Sequence, residues 1–307
     1  MEADFLSGWL ASAIRIATPL IVGALGGLIS ERAGVFAVGI EGMMLAGAFG
    51  ASVGMFFTES TAAGIVAAVV AGIFPAALVA VAVTRFRADQ MVTGLAINVL
   101  TLGLTSYLIR GLFDGRPPSI RIALLQPVPI PMLSKIPGVG PILFQQPALA
   151  YSAVALAVLL WLVLQHTSVG LTLRATGENP EAVFAAGNNP VAIRQLAVIA
   201  CGAIAGLGGA VLVLQDVGTF TDGMTGGRGF LALAALIVGR WNPLGVVASC
   251  LMFGAASALE VRLQGETLFV DSYVIQMVPY GIALLALIVL GRGARMPKAI
   301  GRAYSIQ

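Results

Sequence analysis

The sequence is poor in the residue types on which most enzyme sites and soluble surfaces depend. Charged residues make up 10% of its 307 residues, against about 25% in an average soluble domain. His166 is the only histidine, and Cys201 and Cys250 lie far apart inside apolar runs, so we expect neither a histidine metal site nor a disulfide framework. Lys135 and Lys298 are the only lysines, and neither follows a glycine. A phosphate-binding GxxxxGK[ST] loop is therefore excluded, and the chain cannot be its own ATPase.

The chain also lacks the short motifs of membrane hydrolases and metalloproteases. It contains no GxSxG, no HExxH and no cluster of histidines with carboxylates, so we expect no catalytic residue and no metal ligand. The formal net charge is +3. Its cations are scattered at the ends of apolar runs and form no clustered face, so no nucleic-acid partner is expected.

Hydrophobic residues are abundant instead, at 58% of the chain. Eight runs are long enough to cross the roughly 30 Å of hydrocarbon in a bilayer. A ninth, residues 228–239, is too short and predicts a half-helix or a tilted segment. The eight long runs are residues 8–29, 35–57, 61–83, 91–110, 148–166, 194–216, 243–262 and 271–290. The sequence thus predicts an all-α polytopic membrane protein, in contact with lipid, with about nine transmembrane or half-membrane helices in one domain spanning residues 1–307.

The distribution of Arg and Lys predicts the orientation in the membrane. If residues 167–193 form a cytoplasmic loop, most of the Arg and Lys residues share that side and most of the acidic residues lie opposite. The positive-inside rule then places the N-terminus outside and the C-terminus inside. Residues 111–147 then lie on the outer side. They form a loop, because so many prolines cannot be accommodated in a long helix. Either an ordered cover or a plain spacer fits this loop. The predicted cytoplasmic cations are Arg32, Arg85, Arg87, Arg174, Arg194, Arg240, Arg292, Arg295, Lys298 and Arg302.

Two Asn-Pro pairs lie ten residues apart in the longest polar stretch, Asn179-Pro180 and Asn189-Pro190. Asn is a favoured helix N-cap, and Pro supplies the fixed φ of a first helical residue. The pairs predict one small helix, running from Pro180 to about residue 186, with Gly187 closing it in a left-handed conformation. A helix this short is not stable alone in water. Something must therefore hold it.

Several polar side chains interrupt the apolar runs, where ionisable groups are costly. For Glu41 a role in a transport pathway or in pinning helices competes with a buried pair to Arg15 or to a backbone donor. Asn98, Thr101 and Thr105 share one helical stripe at i, i+3 and i+7. This stripe fits the lining of a polar path, and it fits interhelical packing equally well.

A weak internal similarity links the segments that follow the first and sixth spans. Residues 32–36 open a Gly-rich helix on the inner side, and residues 227–231 open another on the outer side, in the opposite orientation. Inverted repeats with interrupted helices are typical of transporters, and the interruptions point to the substrate path. Phe36 and Phe230 in these segments could stack on a flat ligand, although packing is the alternative role.

Three motifs in the right order give the chain a family resemblance. ERAGVFAVGIEGMMLAGAFGA at 31–51, RATGENPEAVFAAG at 174–187 and GGRGFLALAALIVGRWNPLG at 226–245 resemble the permeases of ATP-binding-cassette (ABC) importers for nucleosides and simple sugars. These permeases are related to those for branched-chain amino acids and ribose. The resemblance implies that the short loop is a coupling helix docked on a cytoplasmic ATPase. Its residues here are Glu178, Asn179, Pro180, Glu181, Ala182 and Gly187.

The same resemblance implies the partners and the location. Partner ATPase subunits would bind ATP and Mg²⁺, and this chain would bind no cofactor. A second permease, homologous to this one, and a periplasmic or lipid-anchored binding protein would complete a complex in the bacterial cytoplasmic membrane.

The GIEGMM version of the first motif resembles nucleoside permeases more than ribose permeases. The chain departs from the usual pattern at Ala37 and Asn188, where relatives carry Asn and Ile, and the first departure leaves the substrate open. A simple sugar, a purine base or a flavin is the alternative cargo. An ion-coupled secondary transporter or channel is the alternative class.

Overall fold

The computed structural model describes residues 2–113, 124–136, 140–266, 272–291, 295–302 and 304. Among these residues, seven helices are long and apolar enough to cross a membrane, and two shorter apolar helices accompany them. They match the nine predicted segments and confirm an all-α polytopic architecture. In chain order the elements are α1 Glu2–Arg32, α2 Ile40–Thr58, α3 Thr61–Thr84, α4 Gln90–Phe113, β1 Pro127–Pro129, a 3-10 turn Leu133–Lys135, α5 Gly140–Leu143, β2 Gln145–Pro147, α6 Ala148–His166, α7 Ser168–Glu178, α8 Pro180–Ala185, α9 Pro190–Val211, a π-helical turn Leu212–Val217, α10 Arg228–Val238, α11 Pro243–Glu266, α12 Ser272–Gln276 and α13 Val278–Leu290.

Helices α1 and α9 form the centre of the bundle. α9 packs against α1, α2 and α3, and α1 also packs along α11. The contact of α9 with α2 and α3 needs glycine at Gly47 and Gly72, which face the backbone of Gly206. A Cβ atom on Gly47 of α2 would lie 2.3 Å from the Cα of Gly206, and one on Gly72 of α3 would lie 2.8 Å from it. Small residues thus let three backbones approach closely, which is how apolar helices associate in a bilayer.

The last predicted run, residues 271–290, is interrupted in the structure. The structure divides it at Met277 into α12 and α13. Pro279 is the second residue of α13 and has no N–H group to bond to the preceding turn, so one helical hydrogen bond is missing at the break.

The Pro-rich loop contacts the bundle at several points within its described part. β1 and β2 pair antiparallel, and the N–H of Leu125 donates to the carbonyl of Leu214 at 2.9 Å. Gln146 is 1% exposed and accepts a 3.3 Å hydrogen bond from Arg15. These contacts favour an ordered cover over a plain spacer. Residues 114–123 and 137–139 of the loop lie outside the described residues.

Helices α2 and α10 run in opposite directions from neighbouring starting points. α10 has 11 residues, which corresponds to about 17 Å and half a membrane. It ends beside the end of α1, where Arg32 donates from Nε and Nη2 to the carbonyl of Trp241 at 2.9 and 2.6 Å. α2 starts beside the first turn of α10, where Glu41 accepts the N–H groups of Gly227 and Gly229, and runs away from that end of the bundle. The opposite orientation of the two segments agrees with the inverted similarity in the sequence.

Candidate functional site

The small helix predicted between the Asn-Pro pairs is present as α8. Asn179 is its N-cap, and its Oδ1 accepts the N–H of Ala182 at 3.1 Å. Pro180 is the first helical residue. Glu181 lies in the first turn, where the positive end of the helix dipole favours a carboxylate. We call residues 178–189 the coupling segment.

The coupling segment closes with the predicted glycine. Gly187 has a φ of +84°, a left-handed conformation that glycine adopts without steric cost. Its N–H donates to the carbonyl of Phe184 at 2.9 Å, and the N–H of Asn188 donates to that of Val183 at 3.1 Å. This pair of bonds is a Schellman motif. Asn189 then caps α9 by accepting the N–H groups of its first turn.

The coupling segment stands at the surface with one internal contact. Val183 is 5% exposed, whereas the other residues from Glu181 to Asn189 are exposed. Phe184 presents 45% of its surface. A helix of six residues with its ends closed and its sides exposed has the form of a docking element, because short helices need packing to be stable.

A second candidate site lies where α2 begins. The linker of residues 33–39 turns back into the protein, and most of its residues are buried. α2 has no side-chain cap of its own, since its N-cap is Gly39. Asn98 of α4 supplies the cap: its Oδ1 accepts the N–H of Gly42 at 2.8 Å, and its Nδ2 donates to the carbonyl of Val38 at 2.9 Å.

Glu41 joins the start of α2 to the start of α10. One carboxylate oxygen accepts the N–H of Gly227 at 2.8 Å, and the other accepts that of Gly229 at 2.6 Å. The sequence left either Arg15 or a backbone donor as a structural partner of Glu41, and in the structure the partners are backbone donors. Gly229 must be glycine, because a Cβ there would lie 2.6 Å from the backbone of Glu41. We call the paired starts of α2 and α10, together with Asn98, the junction.

The other predicted pathway residues lie around the junction. Phe230 follows Gly229 in α10 and is 44% exposed, and Phe36 is a half-buried residue of the linker. Thr101 and Thr105 are buried on α4 and line an apolar groove of about 330 Å³ between α2, α3 and α4. The Thr105 hydroxyl donates to the carbonyl of Thr101 at 2.8 Å. The stripe therefore starts at the junction and continues into the groove, and contact of these residues with substrate stays a prediction.

Comparison with known proteins fits this geometry. The family described as branched-chain amino acid transport system / permease component matches residues 9–290. The chain belongs to this permease family. The permease is 35% identical to the nucleoside ABC transporter permease protein NupC of Lactococcus lactis subsp. cremoris, over 96% of both chains. It is 37% identical to the guanosine ABC transporter permease protein NupQ of Bacillus subtilis, over 98% of this chain and 97% of the relative.

Two further similarities are more distant. A second guanosine ABC transporter permease protein of Bacillus subtilis, NupP, is 28% identical over 80% of this chain and 72% of its own. A chain of the structure titled PsaBC from Streptococcus pneumoniae in complex with Fab shares the fold, with a TM-score of 0.52 and 16% identity over 95% of this chain and 98% of that one. The protein is thus a multi-pass membrane permease and a transport subunit, not an enzyme.

Sequence reasoning missed several residues that organise the permease. Gln90, at the start of α4, accepts the N–H of Phe36 at 2.7 Å. Glu31 accepts the indole N–H of Trp241 at 2.5 Å, which ties α1 to the end of α10. Arg194 is one of the predicted cytoplasmic cations, yet it is 3% exposed.

Proposed function

We propose that this permease is the membrane subunit of an ATP-driven importer for nucleosides. The observation that carries the proposal is the exposed coupling segment, a short helix closed at both ends between two membrane helices. The names of NupC and NupQ, each similar over nearly its whole length, support the nucleoside cargo.

Separate ATPase subunits drive the transport in this proposal. They bind ATP and Mg²⁺ and receive α8, with the residues Glu178, Asn179, Pro180, Glu181, Ala182 and Gly187, in a surface groove. The coupling segment then lies in the cytoplasm, with the N-terminus of the chain outside, as the positive-inside rule predicts. Hydrolysis in the partner moves α8 and changes the arrangement of the membrane helices.

The substrate passes beside the junction in this proposal. Two interrupted helices that start next to each other from opposite directions are typical of transporter sites. Glu41, Asn98 and Phe230 meet there or lie next to it, and Phe36, Thr101 and Thr105 extend the surface to either side.

A second permease and a binding protein complete the importer. Bacillus subtilis has two different guanosine permeases, NupQ and NupP, which supports a pair of homologous permeases. A periplasmic or lipid-anchored binding protein delivers nucleoside to the outer face. The packed part of the Pro-rich loop provides a structured surface on that face.

Uptake of radiolabelled guanosine into vesicles that contain the complete complex tests the proposal. The complex is reconstituted with its ATPase subunits, second permease and binding protein, and ATP is supplied on the ATPase side. We expect ATP-dependent uptake that unlabelled nucleosides inhibit. Inhibition by ribose, guanine or riboflavin, but not by nucleosides, would instead assign a sugar, a purine base or a flavin as the transported substrate. Uptake by the chain alone, driven by an ion gradient, would instead support a secondary transporter.

Substitutions in α8 test the docking. Glu181→Arg reverses a charge on the exposed first turn, and Pro180→Gly removes the fixed φ at the helix start. We expect both variants to fold and to hydrolyse ATP with little uptake. Glu59→Arg, at an exposed carboxylate at the end of α2, is the control. Wild-type uptake in both α8 variants would contradict the assignment of α8.

A further inference from the structure

Arg194 is the fifth residue of α9, one turn after the coupling segment, and is almost completely buried. Its guanidinium donates three hydrogen bonds to main-chain carbonyls: Nε to Ala33 at 3.2 Å, Nη1 to Arg302 at 3.0 Å and Nη2 to Ala299 at 3.3 Å. Burial of a charged group is costly unless its donors are satisfied. This arginine is therefore a fixed part of the structure.

The carbonyls that Arg194 binds belong to two separate segments. Ala33 begins the linker between α1 and α2. Ala299 and Arg302 lie in the segment of residues 295–302, which we call the tail. Pro297, Ala299 and Ile300 of the tail are buried. The tail is thus packed into the permease and clamped beside the coupling segment.

The residue before the coupling segment touches the same two segments. The carbonyl of Gly177, in the last turn of α7, accepts the N–H of Ala299 at 2.9 Å. A Cβ on Gly177 would lie 2.2 Å from the carbonyl oxygen of Arg32 and 3.3 Å from the N atom of Gly34. No side chain fits there. The end of α7, the tail and the start of the linker are in direct backbone contact.

The linker continues this connection into the membrane. Gln90 Oε1 accepts the N–H of Phe36 at 2.7 Å and that of Gly301 in the tail at 3.2 Å. The linker then enters α2, whose start Asn98 caps and whose Glu41 holds α10. Gly177 and Arg194, which flank the coupling segment, are thus connected to the junction by hydrogen bonds to the tail and the linker and by the chain of the linker itself.

The geometry at position 194 calls for arginine in particular. The guanidinium holds five N–H groups in a planar fork, so it can bind carbonyls of different segments at once. A lysine ammonium is a compact point charge that cannot reproduce this arrangement. Glutamine would keep one side-chain donor group and lose the fork.

We propose that Arg194 is a positioning residue for energy coupling, which joins the coupling segment to the tail and to the linker, so that movement of α8 reaches the junction. The inference rests on the proposed function. When the ATPase displaces α8, the linker moves with it. Arg194 is hydrogen-bonded to the linker and Gly177 is in backbone contact with it, and these two residues flank the coupling segment. The linker in turn shifts the start of α2 and, through Glu41, the start of α10.

The experiment measures guanosine uptake and ATP hydrolysis together in the reconstituted complex. Arg194→Gln removes the fork of donors, and Gly177→Ala pushes the end of α7 away from the start of the linker, since its Cβ would lie 2.2 Å from the carbonyl oxygen of Arg32. We expect both variants to assemble and to hydrolyse ATP within about twofold of the wild-type rate, whereas uptake per ATP falls about tenfold or more, within the usual range of coupling between sites. Arg194→Lys should lose less than Arg194→Gln, since it retains the charge.

Two matched substitutions control for general damage. Gln195→Ala removes a 2.8 Å hydrogen bond from the neighbouring residue of α9, but that bond leads to Thr84 of α3 and not to the linker. Gly111→Ala adds a Cβ where no other atom lies within 4 Å. We expect both controls to keep the wild-type uptake per ATP.

The outcomes separate the inference from the function on which it rests. If the wild-type complex showed no ATP-dependent uptake of guanosine, either the proposed nucleoside substrate or the proposed ATP dependence would be refuted. Wild-type uptake per ATP in an assembled Arg194→Gln complex would overturn the role of Arg194. If Arg194→Gln fails to assemble, Arg194→Lys and Gly177→Ala decide: unchanged uptake per ATP in whichever assembles overturns the inference, and a lowered value supports it.

Discussion

The coupling segment and the junction both depend on capped helix starts, but the caps come from different places. In the coupling segment every cap is local: Asn179 binds the N–H three residues ahead, and Gly187 and Asn188 bind carbonyls three to five residues back. In the junction the caps come from other helices. Asn98 is 56 positions from Gly42, and Glu41 is 188 positions from Gly229.

This difference determines how each region can move. A helix with local caps keeps its shape when its surroundings change, so α8 can be displaced as a unit by a partner. A helix start capped by another helix cannot move independently of it, because an unpaired buried N–H costs about 1–3 kcal/mol. Displacement of α2 is therefore transmitted to α10. The exposed region is suited to receiving movement and the buried one to passing it on.

Glu41→Gln gives the largest expected effect, because it breaks the cap between helices. The amide keeps one acceptor oxygen, so Gly227 or Gly229 loses its partner, and the favourable charge at the start of α10 is lost. We expect the free energy of unfolding to fall by about 2–3 kcal/mol, since these are hydrogen bonds to a charged group. Thermal and denaturant unfolding of the purified permease in detergent measure the change.

Glu59→Gln is the matched control for this substitution. It makes the same chemical change in an exposed residue at the other end of α2. We expect the change in stability to stay within about 0.5 kcal/mol, as is usual for surface positions. Equal losses in the two variants would mean that the carboxylate of Glu41 does not hold the junction.

Asn98→Ala should have an intermediate effect. It removes the acceptor for Gly42 and the donor for Val38, and loss of an N-cap costs about 0.5–2 kcal/mol. Asn98→Asp keeps the acceptor and loses the donor, so its stability should lie between those of the wild type and Asn98→Ala. We expect guanosine uptake to fall in both variants while the complex stays assembled. Unchanged uptake kinetics would make Asn98 a purely structural residue.

The sequence was sufficient to predict the coupling segment because its signals are local. Two Asn-Pro pairs and one glycine predicted a helix ending at about residue 186, and the helix ends at Ala185. The membrane spans were predictable for a similar reason, since each is a continuous apolar run. The break at Met277 was missed because a Pro in the first turn of a helix and a Pro inside one look alike in sequence.

The junction and the clamp at Arg194 could not be predicted in the same way. A polar residue in an apolar run indicates that a partner exists, but not which one. The stripe from Asn98 fitted a path and a packing contact equally, and only the fold shows that the Asn98 amide binds the start of α2. Arg194 resembled a topology signal because its three carbonyl partners lie 105 to 161 positions away.

Substitutions at Asn179 have the smallest expected effect on stability. They test whether its side chain only caps α8 or also contacts the ATPase. Loss of this cap should destabilise α8 by about 1 kcal/mol, but leave the global free energy of unfolding unchanged because the helix is exposed and locally closed. We expect Asn179→Ala to speed hydrogen exchange at the amides of α8, and Asn179→Ser to restore protection, since Ser is also a good N-cap. If the Asn acts only as a cap, Asn179→Ser also restores uptake per ATP. Restored protection without restored uptake would show that the amide itself contacts the ATPase, and the coupling segment would then supply chemical recognition as well as shape.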